Sequence, residues 1–265
     1  MTTIRDIIVD ACPRSELAGT LEAAREMAKA HGAKLLVASY AWPRSSLAEA
    51  LLPNAQGQRV SMEAALQTSR RAFDTVFAGP PVDVEWCSGI SDPASSLHTH
   101  ALTADLLITD WSEEDKCVLP SAPQVAVETG IPVLRLGRRP TGGHFANVLV
   151  AWKDTSQARR AVHDALPLLA KADNVTIVGV GDEVFADRLE AVAAHLRRHD
   201  IKVQHRHIPA EGGNIASSLL AQAKRDGAEL IVSGLYSRGF LTERVFGGVS
   251  TDLLKDASVS WFMAH

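Results

Sequence analysis

The strongest constraint on the fold is a repeated order of short apolar runs and amphipathic stretches. Segment 104–110 reads ADLLITD, and segment 228–234 reads AELIVSG. Short branched runs of this kind are typical of strands buried on both faces. Around each run, strand-like and helix-like stretches alternate, which predicts parallel pairing with right-handed crossovers. We therefore expect an α/β chain made of two copies of one unit.

Each copy is predicted to hold five strands. In the first copy the strands are 4–10, 34–40, 82–86, 106–109 and 131–136, and the helices are 15–31, 59–77, 93–101 and 123–128. In the second copy the strands are 147–151, 174–180, 201–208, 230–233 and 259–262, and the helices are 155–169, 184–198, 214–225 and 250–255. Segment 137–144 is rich in Gly, Pro and Arg and reads as a linker, so domains are expected at 1–140 and 145–265.

Composition excludes several classes of protein. The net charge of -4 argues against a general nucleic-acid binder, which would usually carry a basic patch. No apolar run approaches the length of about 18 residues that a membrane span needs, and the N-terminal stretch enters a strand pattern directly. Cys12, Cys87 and Cys117 are widely spaced and read as thiols in a reducing compartment. We expect a cytoplasmic protein without nucleic-acid or membrane partners.

The stretch 229–262 carries the clearest functional pattern. A buried-strand run ends at Gly234, a loop with Gly247 and Gly248 follows, and Ser250 stands where a helix should begin. Hydroxyl side chains cap helix N-termini, and the open amides and dipole there favour an anion such as phosphate. The order of strand, glycine-bearing loop and capped helix therefore predicts an anion site.

This stretch resembles the signature of the universal stress protein family. The family motif is Gly, two residues, Gly, nine residues, Gly and then Ser or Thr, between the fourth strand and the fourth helix. Gly234 and Gly247 take the first and third glycine places, Ser237 takes the second, and Gly248 takes the Ser/Thr place. The resemblance implies two tandem doubly wound parallel-sheet domains of the adenine nucleotide alpha hydrolase-like kind, each with five strands in the order 3-2-1-4-5. It also implies that the copies pack as an intramolecular counterpart of the family's dimer, with a homodimer as a further option.

The resemblance further implies a ligand, namely ATP or another adenine nucleotide, with Mg²⁺ accompanying it. The family's base and ribose contacts match four positions near strand ends: Ala151, Val180, Ser233 and Gly234. The phosphate loop matches Ser237, Gly247, Gly248, Val249 and Ser250.

Lys153 stands where the family has an aspartate after its first strand. In one interpretation, this lysine reaches a phosphate of the ligand. In the other, Lys153 is exposed and Asp154 merely caps a helix that begins at Thr155. Arg238 and Arg244 leave the same choice between phosphate partners and solvated loop residues.

The first copy differs at the matching loop, which reads WSEEDKCVLPSAP and contains no glycine. Such a loop offers poor access to backbone amides, and Glu113, Glu114 and Asp115 would repel phosphate. The sequence therefore predicts no nucleotide site in the first copy.

No catalytic or metal-binding set emerges from the sequence. His205 and His207 alternate on one strand without clustered cysteines or carboxylates, and no GxxxxGK[ST] or GxSxG motif occurs. The leading hypothesis is a stress-response protein that binds an adenine nucleotide weakly at its second copy, with at most slow ATP hydrolysis. A nucleotide-free adaptor and, third, a nucleotide-dependent hydrolase stay open as alternatives.

Overall fold

A computed structural model describes residues 3–43, 55–111, 117–138, 142–210, 214–235 and 256–265. These residues form ten strands and seven α-helices, and the chain divides into two compact units. We call Ile4–Arg135 the first unit and Leu136–His265 the second unit. The division falls before the last residue of the first copy's fifth strand, one residue ahead of the linker expected at 137–144.

The first unit alternates strands and helices throughout. Its elements are β1 (Asp6–Asp10), α1 (Leu17–His31), β2 (Lys34–Ala41), α2 (Ala55–Val76), β3 (Val84–Ile90), α3 (Pro93–His100), β4 (Leu106–Asp110), α4 (Ala122–Thr129) and β5 (Val133–Leu136).

The second unit repeats this order. Its described elements are β6 (Asn147–Trp152), α5 (Ser156–Leu169), β7 (Asn174–Val180), α6 (Ala186–Arg197), β8 (Val203–Ile208), α7 (Ile215–Arg225), β9 (Leu230–Gly234) and β10 (Ser260–Ala264). The helix predicted at 250–255 lies outside the described residues.

Both sheets have the expected strand order. The strands lie in the order β3-β2-β1-β4-β5 in the first unit and β8-β7-β6-β9-β10 in the second. Pairings such as β1 with β4 and β6 with β9 are parallel. Counted within each copy, both orders read 3-2-1-4-5, which confirms the predicted α/β fold class of two doubly wound parallel sheets.

Burial explains why the central strands read as unbroken apolar runs. Residues 7–9 in β1 and 230–232 in β9 are each at most 2% exposed. Helices cover both faces of such a sheet, so successive side chains are buried whichever way they point. Each buried aliphatic side chain stabilises the fold by about 1.5–3 kcal/mol relative to an exposed one.

The largest shifts from the predicted element boundaries occur in β3 and α2. Strand β3 runs to Ile90 instead of ending near residue 86, because its main chain pairs with β2 as far as the Ala41–Ile90 register. Helix α2 begins at Ala55 and includes the polar stretch 55–58, which has no apolar periodicity to signal a helix. None of the helices within the described ranges has the length and apolar character needed to cross a membrane.

The register places the two copies in correspondence, residue by residue. Ile7 pairs with Leu106 across β1 and β4, and Val148 pairs with Leu230 across β6 and β9. Since segment 104–110 matches segment 228–234, three pairs of positions are equivalent at the strand ends. They are Asp10 with Ala151, Thr109 with Ser233, and Asp110 with Gly234.

Gly234 is required by the packing of α5 on β9. A Cβ atom built on Gly234 would lie 2.5 Å from the carbonyl carbon of Gln157 and 2.6 Å from the amide nitrogen of Ala158. Both atoms belong to the main chain of the first turn of α5, so rotation of a side chain cannot relieve the contact. The glycine therefore lets the helix begin directly against the end of the strand.

Gly234→Ala is expected to lower the free energy of unfolding by about 1–3 kcal/mol, because the new methyl group must push α5 away from β9. Gly79→Ala is the matched control, since a Cβ atom built on Gly79 would have nothing within 4 Å. Urea unfolding followed by circular dichroism measures both changes. Equal stability of the two variants would contradict the close helix–strand contact.

Candidate functional site

In open parallel sheets, ligands bind outside the carboxyl ends of the strands where the strand order reverses. In the order 3-2-1-4-5 this switch point lies between β1 and β4 in the first unit, and between β6 and β9 in the second. Each unit therefore has one switch point, and their side chains can be compared position by position.

The second switch point brings together the predicted strand-end residues. Ala151 pairs in register with Ser233 across β6 and β9, and Gly234 is the last residue of β9. Val180 ends the neighbouring strand β7 and is 6% exposed, and Lys153 follows β6. The predicted phosphate-loop residues lie outside the described residues, as do the two loop arginines and the first copy's three acidic residues: Ser237, Gly247, Gly248, Val249, Ser250, Arg238, Arg244, Glu113, Glu114 and Asp115.

Lys153 has an anionic partner from its own chain. Its Nζ atom lies 2.5 Å from Oε2 of Glu183, which belongs to the loop between β7 and α6. The lysine side chain is 41% exposed and the glutamate side chain 66% exposed, so water screens the pair and it contributes little stability. A phosphate that approached Lys153 would compete with Glu183.

The interpretation in which Asp154 caps the following helix is wrong. Helix α5 begins at Ser156, and Thr155 is its N-cap, with Oγ1 accepting a hydrogen bond of 3.2 Å from the amide of Ala158. Asp154 instead forms an ion pair with Arg159 on the first turn of the helix. Aspartate and threonine are both good caps, and the extended backbone at Thr155 assigns the role to the threonine.

Ser233 also has an internal partner. The indole Nε1 of Trp261 on β10 donates a hydrogen bond of 2.6 Å to its Oγ, in a buried environment. Ser233 binds Trp261, and Gly234 is needed for the packing of α5. Two residues that were predicted to contact a ligand therefore also have a structural role.

Trp152, the last residue of β6, is a feature that the sequence analysis missed. Its side chain is 7% exposed, and its Nε1 has no hydrogen-bond partner among the described residues. A buried indole N–H usually finds an acceptor, so a donor without a partner in the described part of the chain marks a polar group beside the second switch point. The signal in the sequence was a tryptophan at the end of a strand that is otherwise aliphatic.

The first switch point is filled by a buried ion cluster, which was also missed. The guanidinium of Arg14 lies between two carboxylates, with Nη2 2.5 Å from Oδ2 of Asp10 and Nη1 2.5 Å from Oδ1 of Asp110. The side chains of Arg14, Asp10 and Asp110 are 1%, 0% and 11% exposed. The signal in the sequence was an aspartate at the end of each of two buried runs, VD and ITD.

Hydroxyl groups complete the cluster. Thr109 donates to Oδ2 of Asp10 at 2.9 Å, and Thr20 on α1 donates to Oδ2 of Asp110 at 2.6 Å. Arg14 also donates through Nη1 to Thr109 at 3.3 Å. The charges are thus bound to one another and to neighbouring hydroxyls, as buried charges must be.

The surroundings shift the ionisation of this cluster. Burial alone would raise the pKa of Asp10, but the charge of Arg14 and hydrogen bonding from Cys12 outweigh it and hold the pKa below its ordinary value of 3.8. For Arg14, burial opposes the charge, while Asp10 and Asp110 raise the pKa above its ordinary range. Burial first, and then the charge of Asp10, raise the pKa of the Cys12 thiol well above its ordinary value, so Cys12 is a poor nucleophile.

Within the described ranges, no group of three or more His, Cys, Asp or Glu side chains has an arrangement that could hold a metal ion. His205, one of the two histidines considered on the sequence, has its Nδ1 3.3 Å from Oε2 of Glu190, and His207 contacts the carbonyl oxygen of Gly181 through Nε2 at 2.9 Å.

Comparison with solved structures identifies the fold. No protein-family model and no curated protein matches the sequence. Among solved structures, a universal stress protein from Archaeoglobus fulgidus is similar over 97% of this chain and 95% of its own, with a TM-score of 0.73 and 14% identity. The chain has the universal stress protein fold in two copies.

Two proteins from Pseudomonas aeruginosa agree with this result. A candidate universal stress protein aligns with 98% of this chain and 93% of its own, at a TM-score of 0.59 and 16% identity. A protein of unknown function aligns with 98% of this chain and 92% of its own, at a TM-score of 0.60 and 17% identity. At these identities the likeness confirms the expected fold and leaves the ligand open. The absence of a nucleotide site in the first copy stays a prediction.

Acid should destabilise the protein partly through Asp10. Because folding lowers the pKa of Asp10, its contribution to stability is complete above its ordinary value of 3.8 and is lost as pH falls through the folded-state pKa. Asp10→Asn is expected to cost about 3 kcal/mol or more at neutral pH, since Arg14 loses a buried partner. It should then lose less further stability than the wild type below about pH 4.

Urea unfolding at a series of pH values measures this difference. Asp74→Asn is the control, because Asp74 forms an exposed i,i+4 pair with Arg70 at 2.8 Å. That variant should follow the wild-type dependence on pH. An unchanged acid dependence in Asp10→Asn would contradict the role assigned to the buried carboxylate.

Proposed function

We propose that this chain is a tandem universal stress protein of the cytoplasm that acts in a stress response, and that its second unit binds an adenine nucleotide weakly. The ligand would lie at the carboxyl ends of β6, β7 and β9, with ATP accompanied by Mg²⁺ as the expected form. The proposal includes no turnover beyond slow ATP hydrolysis. It also includes an intramolecular counterpart of the family's dimer.

The contrast between the two switch points carries the proposal. In the first unit, Asp10 and Asp110 hold Arg14 between the strand ends. In the second unit the equivalents of these aspartates are Ala151 and Gly234, which carry no charge and little or no side chain. Among the residues that the structure describes, the second switch point is thus the one whose strand ends carry no buried ion cluster.

Two polar groups support a ligand at this position. Lys153 supplies a cation about half exposed to water, and Trp152 supplies a buried N–H donor without a partner among the described residues.

The free thiols of Cys12 and Cys87 suit a reducing cytoplasm.

The affinity is expected to be low. A helix start contributes about 0.3–1 kcal/mol toward an anion, whereas micromolar affinity needs about 8 kcal/mol. Lys153 must also exchange Glu183 for a phosphate, so its net contribution is smaller than that of an unpaired lysine.

A second candidate function is a nucleotide-free adaptor. The observations in its favour are the internal contacts of the predicted ligand residues. Lys153 is paired with Glu183, the hydroxyl of Ser233 is bound by Trp261, and Gly234 is needed for the packing of α5. In this case the role of the chain would be to present a binding surface to another protein.

Calorimetry with ATP and with AMP, with and without Mg²⁺, tests the proposal. Lys153→Met is expected to weaken ATP binding more than AMP binding, and Glu183→Gln is expected to strengthen ATP binding by roughly 2- to 5-fold, the value of a screened surface pair. Lys34→Met is the control, because Lys34 pairs with Glu85 at 2.9 Å on the first unit, with similar exposure.

The outcomes separate the candidate functions. No heat with either nucleotide would favour the adaptor, and turnover faster than slow background hydrolysis would favour an enzyme. An equal effect of Lys34→Met and Lys153→Met would place the nucleotide elsewhere.

Gly247→Asp is expected to abolish nucleotide binding while the protein stays folded, because a carboxylate in the phosphate loop repels the ligand. Calorimetry together with circular dichroism measures both properties. Unchanged affinity would move the site away from this loop.

A further inference from the structure

The walls of the first switch point are held by contacts that do not involve Arg14. Asp10 accepts hydrogen bonds from the hydroxyl of Thr109 at 2.9 Å and from the amide of Cys12 at 3.1 Å. Asp110 accepts a hydrogen bond from Thr20 at 2.6 Å. Both carboxylates are therefore oriented by β4, the loop after β1, and α1, independently of the cation that they face.

The guanidinium of Arg14 meets acceptors on several sides. Its Nε donates to the carbonyl oxygen of Cys12 at 3.0 Å, and Nη1 contacts Asp110 and Thr109. Nη2 forms the ion pair with Asp10, although without hydrogen-bond geometry. A planar fork of donors fits this arrangement, whereas a compact ammonium ion cannot reach all of these oxygens.

We propose that the first switch point is a guanidinium-binding site that the chain fills with its own Arg14. The first unit is in this sense permanently occupied, and its crevice is closed to phosphate-bearing ligands. The proposal stands whether or not the second unit binds a nucleotide, because it depends only on contacts within the first unit.

Charge defines the class of molecule that this site accepts. Without Arg14, the crevice would present the carboxylates of Asp10 and Asp110, of which the former is fully buried. Such a pocket repels anions and takes a small cation that can donate from a planar group. Alkylguanidinium ions match this description, and methylguanidinium has the size of the missing side-chain end.

Arg14→Ala with methylguanidinium chloride at up to about 20 mM tests the proposal through ligand-linked stability. The variant is expected to unfold roughly 5 °C or more below the wild type, since two buried carboxylates lose their partner. Methylguanidinium should raise its unfolding midpoint in a saturable way. Methylammonium and sodium chloride at the same concentrations should not.

Two further variants serve as controls for the rescue. The double variant Asp10→Asn/Arg14→Ala lacks one of the two carboxylates that face the cation, so methylguanidinium should not raise its unfolding midpoint. Arg160→Ala removes an exposed arginine that pairs with Asp164 at 2.7 Å, and it should be indifferent to methylguanidinium. Absence of rescue in Arg14→Ala, or equal rescue by methylammonium, would overturn the proposal. Additional ATP bound per chain by Arg14→Ala would also overturn it.

If Arg14→Ala does not fold, Arg14→Lys provides the test. Lysine keeps the positive charge but lacks the fork, so this variant is expected to fold with a lower unfolding midpoint than the wild type. A midpoint equal to that of the wild type would show that the site needs only a cation, and the proposal of a guanidinium site would fail.

Discussion

Both units depend on the burial of their central strands on both faces of the sheet. Along 7–9 and 230–232 every side chain is buried, so polar chemistry has no place within the strands. Polar and charged groups can enter only where these strands end, and parallel pairing brings those ends to one edge of the sheet. Strand order sets the location of both switch points, burial confines polar groups there to the strand ends, and the residues at those ends are free to differ.

The contents differ because three equivalent positions carry different residues. Asp10 and Asp110 bring negative charge into the first crevice, and that charge is tolerable only because Arg14 and hydroxyl groups surround it. The equivalent residues Ala151 and Gly234 carry no charge, and the main chain of α5 packs directly against Gly234. One fold thus supports a closed ionic centre in one copy and a mostly uncharged strand end in the other.

Much of the fold could be read from the sequence, because buried runs and their repetition are local signals. The two largest boundary shifts depend on main-chain pairing as far as Ile90 and on a helix start at 55–58 that lacks apolar periodicity. The partners of side chains could not be read in this way. Arg14 and Asp110 are 96 residues apart in the sequence. The pairing of Ser233 with Trp261 and that of Lys153 with Glu183 also produce no periodic pattern in the sequence.

The contact between Gly234 and α5 has a consequence for how the two copies can change. Helix α1 begins seven residues after Asp10, whereas α5 begins five residues after the equivalent Ala151. The main chain of α5 therefore leaves no room for a carboxylate at position 234. Placing aspartate there, the residue found at the equivalent position 110 of the first copy, would require the start of α5 to move as well.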